Sequence, residues 1–176
     1  MYRLLLVSGI ILSFSLSACL QSNSKRPVEA ANQQRAISFT DMKGETFQFI
    51  SKSNDQWKAE MDDLTYHVMR EKGTERAYTG QYNENKKDGV YTCNACKLPL
   101  FSSDAKFESG TGWPSFYQPI DKTHVLEETD ATSGMRRVEV LCRRCSGHLG
   151  HVFDDGPQPT GLRYCMNSVS LDFIPK

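Results

Sequence analysis

The sequence predicts a mainly β, α+β domain in which short helices come first and antiparallel β-structure follows. Apolar residues between positions 53 and 73 recur at helical spacing, the first sign of that order. After Gly80 short β-branched and aromatic runs are separated by Gly, Pro, Asp and Ser turns. Two Cys-x-x-Cys pairs each follow a strand-like dipeptide, Tyr91-Thr92 and Val140-Leu141, as expected for turns held by a metal.

With 176 residues the chain is long enough for one domain with a real core. Lys plus Arg and Asp plus Glu are equal at 21 each, so charge gives no reason to expect a nucleic-acid partner. The aromatic content argues against disorder for most of the chain.

The N-terminus reads as a targeting segment. Arg3 supplies a positive start, and an interrupted apolar run from Leu4 to Leu16 is too short for a comfortable membrane span. It ends in Leu16-Ser17-Ala18-Cys19, which resembles the lipobox of bacterial lipoproteins. Residues 1–18 are then a signal peptide, and lipid on Cys19 would anchor an exported protein to a bacterial membrane, on the periplasmic or cell-surface face, without spanning it. An ordinary cleaved signal peptide with a coincidental cysteine is the plainer alternative. Leu20, where an Asp is absent, is compatible with outer-membrane sorting. From Leu20 to about Arg35 the chain is polar and reads as a tether.

The remaining elements follow in order. Ile37, Phe39, Phe47 and Phe49 alternate around a Lys43-Gly44 turn, so residues 19–52 comprise the lipidated cysteine, the tether and a small hairpin. Trp57, Met61, Leu64 and Val68 form one apolar face after caps at Ser53 and Asp55, on one helix or on two if Asp62-Asp63 caps a second start. Gly73 is placed to end it. Strands are expected at Val90 to Thr92, Val138 to Leu141, His151 to Phe153 and Val169 to Phe173. Residues 53–176 make the folded domain.

The six cysteines divide one, four and one. Cys93, Cys96, Cys142 and Cys145 form two knuckles that suit one tetrahedral Zn²⁺, a structural site with no open position for chemistry. Two disulfides, or a redox-active pair, are the alternatives for an exported chain. Cys165 then remains as the free thiol. A thiol needs a nearby cation or base to ionise from about 8.5, and on a strand Arg163 and Asn167 share its face. By position alone, a nucleophile and a buried structural cysteine both remain open.

Nearby polar motifs favour chemistry. His148 and His151 are bracketed by glycines directly after the second knuckle and, with the metal site already complete, suit a proton donor or a substrate-orienting role. Trp113, in Gly110-Thr111-Gly112-Trp113-Pro114-Ser115-Phe116, suits the wall of an apolar pocket.

Gly112 to Phe116, His148 to Phe153, Asp155-Gly156-Pro157 and Arg163 to Ser168, together with both knuckles and Arg70 to Glu75, resemble a methionine-R-sulfoxide reductase of the MsrB type. The resemblance covers roughly Ser53 to Lys176. It implies two antiparallel β-sheets with short N-terminal helices and a structural zinc site away from the catalytic cysteine. It also implies Cys165 as nucleophile, His151 or His148 as acid, Trp113 against the substrate methyl group, and Arg163, Asn167 and Asp155 positioning the polar parts. The substrate would be methionine-R-sulfoxide in oxidised proteins. The chain departs from the pattern at Thr111, where many members of the family carry a second cysteine that forms a disulfide. Regeneration is therefore expected from outside, by a thioredoxin-like domain or a small thiol. A zinc-ribbon binding module and a thiol–disulfide exchange protein are the competing functions.

Overall fold

The computed structural model describes residues 37–131, 134 and 136–176. The leader, Cys19 and the polar tether lie outside the described residues. Among the described residues no helix is long and apolar enough to cross a membrane.

The hairpin expected around Lys43-Gly44 forms from β1 (Ser38–Thr40) and β2 (Thr46–Gln48), with Phe39 opposite Phe47. Phe39 is buried, whereas Ile37 is exposed. Two helices follow, α1 (Asn54–Glu60) and α2 (Asp63–Glu71). Ser53 caps the first in a reciprocal capping box with Gln56, and Asp62 caps the second by accepting from Thr65 N–H. The break at Met61 and Asp62 rephases the apolar face. Trp57 and Val68 are buried as expected, but Leu64 is 47% exposed, and Thr65 and Met69 take the inward positions of α2. The left-handed cap comes one residue before the expected glycine: Lys72 takes that conformation at φ 59°, and Gly73 N–H bonds His67 O at 3.0 Å.

The β-structure is antiparallel throughout. Its small sheet has β3 (Gly89–Cys93) between β11 (Leu171–Pro175) and β4 (Pro99–Ser102). The large sheet runs β5 (Lys106–Phe107), β6 (Ser115–Phe116), β10 (Arg163–Met166), β9 (His148–Phe153), β8 (Arg137–Cys142), β7 (Val125–Asp130). With the hairpin there are three sheets, in accord with a mainly β domain carrying short N-terminal helices. The expected strand from Val169 begins only at Leu171, because residues 168–170 form a 3₁₀ turn. The turn has a cause far away in sequence: the buried Glu75 carboxylate accepts the backbone N–H groups of Ser168 (2.6 Å) and Val169 (3.0 Å).

An aromatic core joins the sheets. Phe101 of β4 stacks on Phe116 of β6 with centroids 4.5 Å apart, and Tyr91 of β3 meets Phe116 edge-on at 5.0 Å. Helix α2 covers β9. Gly150 on β9 allows the closest strand approach, since a Cβ there would sit 2.1 Å from the carbonyl oxygen of Cys165.

Candidate active site and zinc centre

The two knuckles are built alike. Each begins on the last residue of a strand, Cys93 on β3 and Cys142 on β8, and turns back toward the next strand. Lys97 and Ser146, the residues after each second cysteine, are left-handed at φ 61° and 55°. Their N–H groups return to Cys93 O and Cys142 O, both at 2.8 Å. The repeated turn aims two sulfurs from each hairpin at one point.

All four sulfurs lie within 4.8 Å of one another and are buried. Across the knuckles Cys93 and Cys145 are 3.6 Å apart, and Cys96 and Cys142 are 3.5 Å apart. Disulfides require about 2.05 Å. Tetrahedral Zn–S bonds of about 2.3 Å place sulfurs about 3.8 Å apart. The donor set therefore fits a structural zinc ion that joins the tips of the β3–β4 and β8–β9 hairpins.

Cys165 lies elsewhere, midway along the large sheet. On β10 it faces His151 of β9 on one side and Ser115 of β6 on the other. Directly opposed residues of an antiparallel pair share a face, so His151 and Cys165 reach the same cleft. The cleft has a volume of about 110 Å³, and Trp113, Phe153, Met166 and Arg137 are among the residues lining it. Trp113 is fixed by its indole N–H, which donates to Glu75 O at 3.1 Å. The loop before it is pinned by Tyr78, whose N–H bonds Gly112 O at 2.8 Å and whose hydroxyl donates to Gly110 O at 2.6 Å. Gly112, at φ 90°, has no room for a side chain there, because a Cβ would meet Tyr78 N at 2.8 Å.

The thiol has polar neighbours. Thr111 Oγ1 is 3.8 Å from Cys165 Sγ, and Ser109 Oγ bridges Thr111 Oγ1 and Ser115 Oγ at 2.8 Å each. Arg163 carries the positive charge on the same face, stacked over Phe153 at 4.4 Å and held by Asp155 through two bonds of 2.8 Å. Burial raises the Cys165 pKa above its ordinary value, while Thr111, Arg163 and Ser115 pull it back. Burial prevails, so the net shift is upward. The Arg163 guanidinium in turn lowers the Asp155 carboxyl below the usual range.

The histidines separate by depth. His151 Nε2 lies 3.0 Å from Asp130 Oδ2, which also receives Arg137 Nη2 at 2.7 Å. A carboxylate only accepts, so Nε2 carries the hydrogen and Nδ1 is left for proton exchange. His148 is buried behind it, its Nδ1 2.7 Å from Glu139 Oε1, with Lys72 closing on Glu139 Oε2 at 2.7 Å. Burial lowers the His148 pKa against the opposing pull of Glu139.

Among the other residues singled out in the sequence, Asn167 borders the cleft, but its amide is used by the backbone. Oδ1 accepts Glu75 N–H and Nδ2 donates to Leu149 O, both at 3.0 Å. Asp155 acts on the site through Arg163. Glu75 and Ser115 stand in motifs that carry the resemblance but have no role assigned from sequence, and Arg137 and Ser109 lie outside those motifs. For Arg137 and Glu139 a signal existed, since two charged residues alternate with Val138 and Val140 along β8. For Glu75 the only signal is its place at the end of the Arg70 to Glu75 motif, which does not tell its partners.

Comparison with known proteins shows the family of this chain. Residues 61–175 match the SelR domain family. A protein of Thiobacillus denitrificans, named peptide methionine sulfoxide reductase MsrB, is 59% identical over 125 residues, covering 71% of this chain and 95% of that protein. A protein of the same name from Pseudomonas entomophila is 56% identical over 129 residues, covering 73% of this chain and 98% of its own. One from Leptospira interrogans is 55% identical over 124 residues, covering 70% and 95%. The chain belongs to the SelR-domain family, among proteins of the MsrB type.

Proposed function

We propose that this chain is a peptide-methionine (R)-S-oxide reductase, with Cys165 as nucleophile and His151 as the acid. The observation that carries the reading is the cross-strand pair of Cys165 and His151 in one cleft beside Trp113. The sulfide product and the methyl group of methionine are apolar, which suits a cleft walled by Trp113, Phe153 and Met166. Membership in a family of proteins named for this activity supports the reaction class.

In this mechanism the Cys165 sulfur attacks the sulfoxide sulfur while a proton reaches the sulfoxide oxygen through His151. Protonation weakens the S–O bond, which is otherwise hard to break. The hydroxyl then passes from the substrate sulfur to the Cys165 sulfur as the S–O bond and the transient S–S bond break, so methionine departs as a sulfide and Cys165 is left as sulfenic acid. Arg163, oriented by Asp155, stabilises negative charge on the sulfur during attack. Zinc on Cys93, Cys96, Cys142 and Cys145 supplies no chemistry to the reaction; it would tie the β3–β4 hairpin to the β8–β9 hairpin, whose strands line the cleft.

Recovery requires two reducing equivalents. One external thiol attacks the sulfenic sulfur, releasing water and forming a mixed disulfide. A second thiol releases Cys165 and leaves as a disulfide with the first. Thr111 offers no sulfur for an internal route, and the knuckle cysteines are held by zinc. A thioredoxin-like protein or a small thiol therefore completes the cycle. A Cys165 disulfide to any knuckle cysteine during turnover contradicts this route.

For location, the proposal is export followed by lipidation of Cys19, with residues 1–18 removed, residues 19–52 linking the anchor to the domain and residues 53–176 catalysing the reaction. Its support is the Leu16-Ser17-Ala18-Cys19 motif after an apolar leader. Mass spectrometry of the mature N-terminal peptide tests it: diacylglycerol on Cys19 is expected, and unmodified Cys19 refutes it. Activity on R- and S-epimer substrates with dithiothreitol tests the enzymatic part.

A further inference from the structure

Away from the cleft, Asp41 in the β1–β2 turn meets Asp121 and His124 from the segment between β6 and β7. All three are buried, and one ligand-type atom from each lies within 4.8 Å of the others. We propose that they bind a second divalent transition cation of the Zn²⁺ class, which fastens the N-terminal hairpin to the domain.

His124 carries the argument. Its Nδ1 is 2.6 Å from Pro99 O, an atom that only accepts, so Nδ1 holds the hydrogen. Nε2 is buried, makes no hydrogen bond and faces Asp41 Oδ2 at 3.4 Å. In the neutral ring that nitrogen offers a lone pair to a carboxylate oxygen, a repulsive and costly arrangement in a buried site unless a cation lies between. An imidazole fixed by a backbone carbonyl through one nitrogen, with the other free, has the orientation of a metal ligand.

The carboxylates are oriented in the same way. Asp41 Oδ1 accepts Lys43 N–H at 2.9 Å and Glu45 N–H at 2.7 Å, leaving Oδ2 toward His124. Asp121 Oδ1 accepts from Thr123 N–H at 2.8 Å and Thr123 Oγ1 at 2.6 Å, while Oδ2 takes only Met42 N–H at 2.8 Å. Among the described residues, the lysine and arginine ion pairs all go to other carboxylates. Tetrahedral metal bonds of about 2.1 Å to nitrogen and oxygen separate neighbouring ligand atoms by about 3.4 Å. The Nε2 to Oδ2 distance is 3.4 Å. Three protein ligands leave the fourth position to water.

The competing account is a doubly protonated His124 paired with Asp41. Such a bond closes to about 2.8 Å with an aligned N–H, whereas this contact is longer and unaligned. The test loads the full chain with Zn²⁺, removes excess by gel filtration and counts metal by mass spectrometry. Wild type should retain about two zinc ions, and His124→Gln and Asp41→Asn about one, the thiolate-bound ion. A second measurement does not depend on the variants folding. In wild type already carrying zinc on its thiolates, added Zn²⁺ should shift the His124 Nε2 resonance in ¹⁵N NMR and saturate. Equal zinc in wild type and folded variants, or an unmoved Nε2 resonance, overturns the site in favour of the ion pair.

Discussion

The hydroxyl of Thr111 lies 3.8 Å from the sulfur of Cys165. A side chain at position 111 is therefore within reach of the sulfur on which the proposed chemistry turns, yet threonine cannot form a disulfide. Thr111→Ala should change kcat by less than about tenfold, one step of 1.4 kcal/mol. Thr111→Cys should trap oxidised Cys165 as an internal disulfide, visible as a loss of two hydrogens in the intact mass. Absence of that bond after one turnover would mean the loop cannot close on Cys165.

The Cys165 thiol should titrate late. Burial raises its pKa, and Arg163 opposes the rise, so alkylation by iodoacetamide should have its midpoint above the ordinary thiol value of about 8.5. Arg163→Met should move the midpoint higher. The sign for stability follows from a folded pKa above the unfolded one. The contribution is whole below the unfolded pKa and disappears as pH rises through the folded value. A midpoint at or below the ordinary value would show that Arg163 and the hydroxyls outweigh burial.

Glu75 should matter for both stability and the cleft. Its buried carboxylate holds two N–H groups after the Cys165 strand, and its carbonyl holds Trp113. Glu75→Ala should destabilise the fold by about 3 kcal/mol, measured by urea unfolding, because the two donors are left buried without acceptors. An unchanged midpoint and slope would show that water replaces the carboxylate.

Gly150→Ala probes strand spacing beside the nucleophile. The added Cβ would stand 2.1 Å from Cys165 O, which forces β9 and β10 apart. A loss of about 3 kcal/mol is expected from such overpacking, together with lower kcat. Wild-type stability in this variant would mean the strands separate freely.

Zinc removal should unfold the domain before it touches chemistry. The ion would join hairpins of different sheets, so chelation or Cys142→Ser should lower the thermal midpoint strongly, as metal binding is coupled to folding in such sites. An apo protein with an unchanged midpoint would make the four-cysteine cluster dispensable.

Local patterns made much of this legible in the sequence. Helix caps at Ser53 and Asp62, the two knuckles and the short β-runs all act over a few residues, and these elements form. Leu64 faces solvent, against its place in the apolar pattern, because the helix break at Asp62 shifts the apolar face. The last strand starts later than its alternation predicts because Glu75, 93 residues before Ser168, bends the chain there. The site divides similarly. Cys165 and Trp113 stand out by type and motif, whereas the Ser109–Ser115 contact, the Asp130–Arg137 pair and the use of Asn167 by the backbone arise only when strands pair.

The central claim is tested most directly by wild type and Cys165→Ser assayed on separated R- and S-epimers of a methionine sulfoxide peptide, with dithiothreitol as sole reductant. The account predicts turnover of the R-epimer by wild type alone. Turnover of R-epimer by Cys165→Ser, or equal turnover of both epimers by wild type, would contradict it.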